Sequence, residues 1–238
     1  MNNDPAPMSE SVRGDPASRS RHANDAPALL FDLDGTLTDN LVGIATSINY
    51  ALAQLDHPPR ATHELRDCLG PPLRDTFARL LDTADSAAIE HAIGHYRVRY
   101  ADIGWSENRV YDGIEAALES LMARNLRLYV CTAKPEVYAR RILNHFGLDR
   151  WLQAIYGADL DGHYDDKAKL MALILEREAI APGRALMIGD RANDIRAARA
   201  NGVRAVGVLW GYGSREELAP ADRLLATPDE LLHLGEEP

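Results

Sequence analysis

Residues 28–40 read ALLFDLDGTLTDN: the apolar run Ala28 to Phe31 leads straight into Asp32, and a second acid, Asp34, follows after Leu33. A short apolar run bounded by a turn signal is the pattern of a strand buried on both faces of a parallel sheet. Side chains two residues apart in an extended chain point to the same side, so Asp32 and Asp34 face one way, just ahead of the Gly35-Thr36 turn. Burying a carboxylate is costly unless a partner compensates it. The stretch therefore predicts a central strand that delivers two acids to a site able to neutralise them.

Short apolar runs of the same kind recur downstream. They are LRLYVC ending at Cys131, AIYG at Gly157, RALMIG ending at Gly189 and AVGVL ending at Leu209. Helical periodicity fills the intervals over residues 115–123, 136–146 and 167–178. Strands alternating with helices predict an α/β fold, a Rossmann-like parallel sheet with helices on both faces. No internal repeat is visible. Residues 41–111 interrupt the alternation with no convincing strand. Leu41, Ile44, Ala45, Ile48, Leu52 and Leu55 recur at helical spacing, and His57-Pro58-Pro59 stops that helix. Further helices are expected over residues 62–69, 73–81 and 86–100. The organisation expected is a coreless tail over residues 1–26, an α/β core over 27–40 and 112–238, and a helical cap over 41–111 placed as a lid over the two acids. The tail is rich in Asn, Asp, Pro, Ser and Arg and cannot bury a core.

Composition narrows the function classes. The chain has 238 residues and a formal net charge of −10. An acidic surface repels phosphate backbones and anionic lipids, which argues against nucleic-acid and membrane partners. No apolar run is long enough to span a bilayer, and the N-terminus carries no signal-peptide pattern. Cys68 and Cys131 are the only cysteines, which suits a reducing compartment. A cytoplasmic protein is expected.

In an open parallel sheet, ligands bind beyond the carboxyl ends of the strands. Polar residues stand at three of those ends here: Asp32 and Asp34, then Thr132 followed by Ala133-Lys134-Pro135, then Gly189-Asp190 followed by Asn193-Asp194. Pro135 suits the first turn of a helix, whose N-terminus would aim N–H groups at an anion near Thr132. Acids converging from two strand ends call for a cation, and oxygen-only donors suit Mg²⁺. Carboxylates, a cation, a hydroxyl, helix N–H groups and a lysine are the requirements of phosphoryl transfer.

These residues carry a resemblance. Asp32-Leu33-Asp34-Gly35-Thr36-Leu37-Thr38-Asp39 resembles the first motif of the haloacid dehalogenase superfamily. Cys131-Thr132-Ala133-Lys134-Pro135 is similar to its second motif, Lys167 after Asp165-Asp166 to its third, and Gly189-Asp190-Arg191-Ala192-Asn193-Asp194 to its fourth. The cap between the first and second motifs resembles the helical-cap subclass, phosphoglycolate phosphatase-like proteins in particular. The resemblance implies a Mg²⁺-dependent phosphatase acting through an aspartyl-phosphate. By it, Asp32 is the nucleophile and Asp34 the acid and base. The side chains of Asp32 and Asp190 with the backbone carbonyl of Asp34 hold Mg²⁺, and Asp194 supports or completes that shell. Thr132, Ala133 and Lys167 bind phosphate oxygens. An acid at position 34 implies a phosphatase or phosphomutase, since the dehalogenases lack one there. The third motif departs from the common pattern, with Ala168 and Lys169 after Lys167 where many relatives have Pro. The substrate implied is a small phosphorylated metabolite, 2-phosphoglycolate first, with 5'-nucleotides and sugar phosphates as alternatives. An acidic substrate needs a cation near its carboxylate, for which Arg74, after Leu69-Gly70-Pro71-Pro72-Leu73, is the candidate.

Plainer readings stand beside these. Thr132 and Asp194 could serve as helix caps, and Lys134 could be a solvated lysine. His91 and His95 lie one helical turn apart, but no third ligand accompanies them, so a solvated face is expected. Trp210-Gly211-Tyr212-Gly213 reads as a flexible connection, or as a rim of the site. Cys131, on an apolar strand, reads as an inert thiol.

Overall fold

The computed structural model describes residues 26–160, 164 and 166–234. Residues 1–25 of the tail expected over 1–26, and the motif residue Asp165, lie outside the described residues. In chain order the strands are β1 (Ala28–Phe31), β2 (Thr38–Asp39), β3 (Arg109–Val110), β4 (Arg127–Pro135), β5 (Ala154–Ala158), β6 (Ala185–Gly189), β7 (Arg204–Val208) and β8 (Arg223–Leu225). The helices are α1 (Leu41–Gln54), α2 (Leu73–Leu81), α3 (Ser86–Asp102), α4 (Ile114–Ala123), α5 (Glu136–His145), α6 (Lys167–Arg177), α7 (Ala192–Ala200) and α8 (Arg215–Leu218).

Six strands form one parallel sheet in the order β5-β4-β1-β6-β7-β8. β1 is central, with Phe31 level with Val130 of β4 and Ile188 of β6. Its four residues alternate between two cores. Leu29 and Phe31 pack with Leu118, Leu121 and Ile142 of α4 and α5, while Ala28 and Leu30 pack with Leu170, Ile174 and Ala198 of α6 and α7. Burial on both faces explains why β1 is apolar throughout rather than alternating.

Residues 41–102 build a third apolar cluster from α1, α2, α3 and a 3₁₀ segment, Thr62–Cys68. Ile44, Ile48 and Leu52 on one stripe of α1 meet Ile93, Tyr96 and Tyr100 of α3. Asp85 caps α3 by accepting from the Ala87 N–H at 2.9 Å. No helix among the described residues is long and apolar enough to cross a membrane.

The structure corrects several sequence expectations. Residues 62–69 wind as a 3₁₀ helix rather than an α-helix. α1 ends at Gln54, ahead of His57-Pro58-Pro59, and Asp56 takes a positive φ of 56°. β2 and β3 pair as an antiparallel ribbon at the two chain crossings between sheet and helical layer. β8 extends the sheet by an edge strand. These strands are two or three residues long, too short for any periodicity to mark.

Candidate active site

The carboxyl ends of β1, β4 and β6 converge at the floor of a cleft of about 1300 Å³ between the sheet and the helical layer. Asp32 continues β1, its N–H donating to the Ile188 carbonyl of β6 at 2.9 Å. The chain then turns sharply, with the N–H groups of Leu37 and Thr38 both reaching back to the Leu33 carbonyl. Gly35 makes this turn at φ +89°, and a Cβ there would stand 2.1 Å from Asp190 Oδ2. Only glycine allows the backbone so close to that carboxylate.

Asp190 follows β6, and Asp194 sits in the first turn of α7. Asp32, Asp190 and Asp194 are all buried, and each brings a carboxylate oxygen within 4.8 Å of the others. Lys167, the first residue of α6, places its ammonium against Asp194 Oδ1 and 3.0 Å from Asp32 Oδ1. Lys169 is exposed, so the lysine among the carboxylates is Lys167, held there because Asp166 caps α6 by accepting from the Ala168 N–H at 3.0 Å. Asp194 caps the start of α7, as one reading of its sequence position had it, and also meets the lysine. Its Oδ2 accepts from the Arg191 N–H at 2.9 Å at the start of α7, and its Oδ1 meets Lys167.

The electrostatics of the floor are unbalanced. Burial, joined by the charges of Asp32 and Asp194, holds the Asp190 carboxyl well above the usual carboxylate range. Burial likewise raises Asp194, against the pull of Lys167. Burial works against the Lys167 ammonium, but Asp194 and Asp32 outweigh it and hold its pKa above the ordinary value. Asp190 Oδ2 accepts from the Tyr212 N–H at 2.8 Å, while its buried Oδ1 has no hydrogen-bond partner among the described residues. Three clustered buried carboxylates, two of them on one ammonium and the third with an orphaned buried oxygen, fit a hard divalent cation with oxygen ligands.

Asp34 lies beside this centre, more open than Asp32. Its Oδ2 meets the Lys134 ammonium at 2.5 Å and its Oδ1 accepts from Asn40 Nδ2 at 3.3 Å. The side chain of Lys134 is only 7% exposed and stands 5.0 Å from the Tyr100 ring centre, so it is not the solvated lysine of the plainer reading. Thr132 is buried, and its Oγ1 accepts from the Lys134 N–H at 3.3 Å. β4 runs on through Pro135, which stands at the N-cap of α5 rather than within its first turn. Thr132 is thus a strand residue and not the cap of α5. Thr132, Ala133, Lys134, Lys167 and Arg74 all line the one cleft. Arg74 does so from α2 at the rim, with its side chain 56% exposed and paired with Glu90 of α3.

Asn40 and Tyr100 are residues that sequence reasoning did not place at the site, and Tyr212 is one it offered only within a loop at the rim. Asn40 is fully buried, and its Nδ2 also donates to the Tyr100 hydroxyl at 2.6 Å. The only sequence signal was the position of Asn40, immediately before α1. The loop Trp210-Gly211-Tyr212-Gly213 is fixed rather than flexible, with Trp210 Nε1 donating to the Thr36 carbonyl at 3.0 Å. Burial raises the Cys131 thiol to about 12, consistent with an inert cysteine. His91 and His95 contact each other at 3.1 Å between Nε2 atoms on α3.

The family profile described as haloacid dehalogenase-like hydrolase matches residues 29–208, a span that runs from β1 to β7. The chain belongs to the haloacid dehalogenase-like hydrolases. It is 46% identical over 81% of its length to a 5'-nucleotidase of Pseudomonas aeruginosa, covering 86% of that protein. It is 38% identical over 90% of its length to the tyrosine-protein kinase PtkA of Mycobacterium tuberculosis, covering 74% of it. A phosphoglycolate phosphatase of Rhodospirillum rubrum is 35% identical over 88% of this chain and 89% of its own. Among solved structures, that of a predicted phosphatase from Clostridium acetobutylicum superposes with a TM-score of 0.82 at 38% identity, over 87% of this chain and 97% of that one.

Proposed function

We propose that this hydrolase cleaves a small phosphomonoester by passing the phosphoryl group to Asp32 and then to water, and that its substrate is a nucleoside 5'-monophosphate. The observation that carries the reaction is the floor of the cleft: Asp32 and Asp194 sharing the buried ammonium of Lys167, beside an orphaned Asp190 oxygen. Asp32 attacks phosphorus, and Lys167, the Thr132 hydroxyl and the Ala133 N–H hold the phosphoryl oxygens. Asp34, oriented by Lys134 and Asn40, gives a proton to the leaving oxygen and later takes one from the water that attacks the phosphorus. The side chains of Asp32, Asp190 and Asp194 and the backbone carbonyl of Asp34 would hold Mg²⁺. When bound, that cation neutralises charge on the transferring group. Residues 41–111 are the cap of this proposal and residues 27–40 and 112–238 its core, in the cytoplasm expected from the sequence.

The substrate is argued from the roof. Ile44, Leu69, Ile93, Tyr96, Tyr100 and Tyr138 give the cleft an apolar and aromatic wall. At about 1300 Å³ the cleft exceeds what a two-carbon acid phosphate fills. Arg74, the cation expected to take a substrate carboxylate, is paired with Glu90. A nucleoside fits such a wall better than a glycolate does, and the relative that is 46% identical is named a 5'-nucleotidase. 2-Phosphoglycolate stands as the second reading, because Arg74 does line the cleft. Phosphate release should be measured on nucleoside 5'-monophosphates, 2-phosphoglycolate and sugar phosphates. The reading expects the highest kcat/KM on a nucleotide. Preference for 2-phosphoglycolate would reverse the two readings, and a requirement for a bisphosphate activator would mark a phosphomutase.

A further inference from the structure

The loop after β7 connects parts of the molecule that the reaction itself does not join. Gly211 packs onto the floor so closely that a Cβ would lie 2.4 Å from Asp190 Cβ and 2.3 Å from the Gly35 carbonyl. The next residue, Tyr212, donates its N–H to Asp190 Oδ2 at 2.8 Å. Its hydroxyl accepts from the Asn40 N–H at 2.8 Å and donates to Asp39 Oδ1 at 2.9 Å. Asp39 belongs to the β2–β3 ribbon at the two chain crossings, where Arg109 of the returning strand also binds it at 2.8 Å. The outer side of the same loop meets the helical layer. Arg66, in the 3₁₀ segment Thr62–Cys68, donates to the Gly211 carbonyl and sets its guanidinium 5.4 Å from the Tyr212 ring centre.

We infer that Arg66 and Tyr212 are positioning residues that tie the placement of the helical layer to the geometry of Asp190, so that cation binding and cap closure favour one another. The inference rests on the proposed role of Asp190 as a cation ligand. Arg66 presses on the Gly211–Tyr212 peptide from the helical side, and that peptide fixes the Asp190 carboxylate from the other. A contact that orients a ligand carboxylate adds to cation affinity without touching the ion. Linkage makes the effect reciprocal: if a seated cap strengthens cation binding, a bound cation seats the cap by the same factor.

Charge and coupling predict opposite signs, which gives a sharp test. Removing a positive side chain near a dication site tightens cation binding by Coulomb's law. Coupling through the loop instead predicts that Arg66→Met weakens it, by roughly three- to thirtyfold. The measurement is calorimetric titration of Mg²⁺ into the full chain without substrate, so that turnover plays no part. Arg60→Met, at an exposed residue whose backbone binds Asn49, is the control and should bind as the wild type does. Tyr212→Phe, which keeps the N–H to Asp190 and loses only the hydroxyl, should weaken binding within the same range. Because both act through one loop, the Arg66→Met/Tyr212→Phe double variant should lose less than the two single losses combined. Unchanged or tighter binding in Arg66→Met, an equal loss in Arg60→Met, or fully additive losses in the double variant would each overturn the coupling. Absence of Mg²⁺ binding in the wild type would refute the cation centre itself, and the coupling with it.

Discussion

On the floor of the cleft Asp32 and Asp194 share the ammonium of Lys167, and Asp190 clusters with them without reaching it. On the roof Arg74 meets Glu90 one to one, and Tyr96 and Tyr100 stack with ring centres 5.4 Å apart. The floor holds more buried carboxylate than its one ammonium pairs with, the arrangement that the proposed cation would balance. The roof is already satisfied by its own contacts and offers mainly shape and apolar surface. The contrast teaches where each kind of energy is spent. On the proposed reaction, interactions that grow as phosphoryl charge moves would sit below the substrate and act on kcat, while those above it would act on which substrate enters.

Substitutions on the floor should therefore have the largest effects. Asp32→Asn should abolish turnover, since an amide is a poor nucleophile and a poorer cation ligand; appreciable cation-dependent activity in the purified variant would break the comparison at its base. Chelation should come next. EDTA should silence the enzyme and Mg²⁺ restore it, whereas Ca²⁺, with its larger shell and longer bonds, should fail to support turnover. Full activity in Ca²⁺ would contradict the tight carboxylate grouping as the working geometry.

Asp34→Asn probes the border between the two regions. It should lower kcat by roughly 10²–10⁴-fold through lost proton transfer and leave Mg²⁺ affinity near wild type, because the expected cation contact there is a backbone carbonyl. Equal losses of kcat and cation affinity would move Asp34 onto the floor proper. The smallest effect belongs to the rim. Arg74→Ala should leave kcat/KM on a nucleotide and on a neutral aryl phosphate within about twofold, the pair with Glu90 being exposed and weak. A selective rise in KM for 2-phosphoglycolate would sharpen the second substrate reading instead.

The floor was legible in the sequence because each of its residues stands where a strand ends or a helix begins. Asp32 after ALLF, Asp190 after RALMIG and Lys167 at the head of a helical pattern could all be placed from local periodicity. Lys134 was legible as a neighbour of Thr132 but not as the partner of Asp34, because that pairing joins residues 100 positions apart. Asn40 and Tyr100, and the bonding of Tyr212 within its rim loop, were hidden for the same reason. Their hydrogen bonds link α1, α3 and the loop after β7, and nothing in the local pattern of any one segment marks them. β2, β3 and β8 escaped because two or three residues carry no readable period. The 3₁₀ winding of Thr62–Cys68 escaped because its apolar residues, Leu65 and Cys68, repeat at an interval that α and 3₁₀ helices share.

The claim on which the rest depends is that Asp32 carries the phosphoryl group. Borohydride reduces an acyl phosphate to an alcohol and leaves a free carboxylate untouched. Wild-type enzyme turning over a nucleoside 5'-monophosphate with Mg²⁺ should be quenched in acid, reduced, digested and sequenced by mass spectrometry. The account predicts homoserine in place of Asp32 in the peptide that spans residues 28–40, dependent on both substrate and cation. Reduction at another carboxylate, or at none while product accumulates in a pre-steady-state burst, would contradict it.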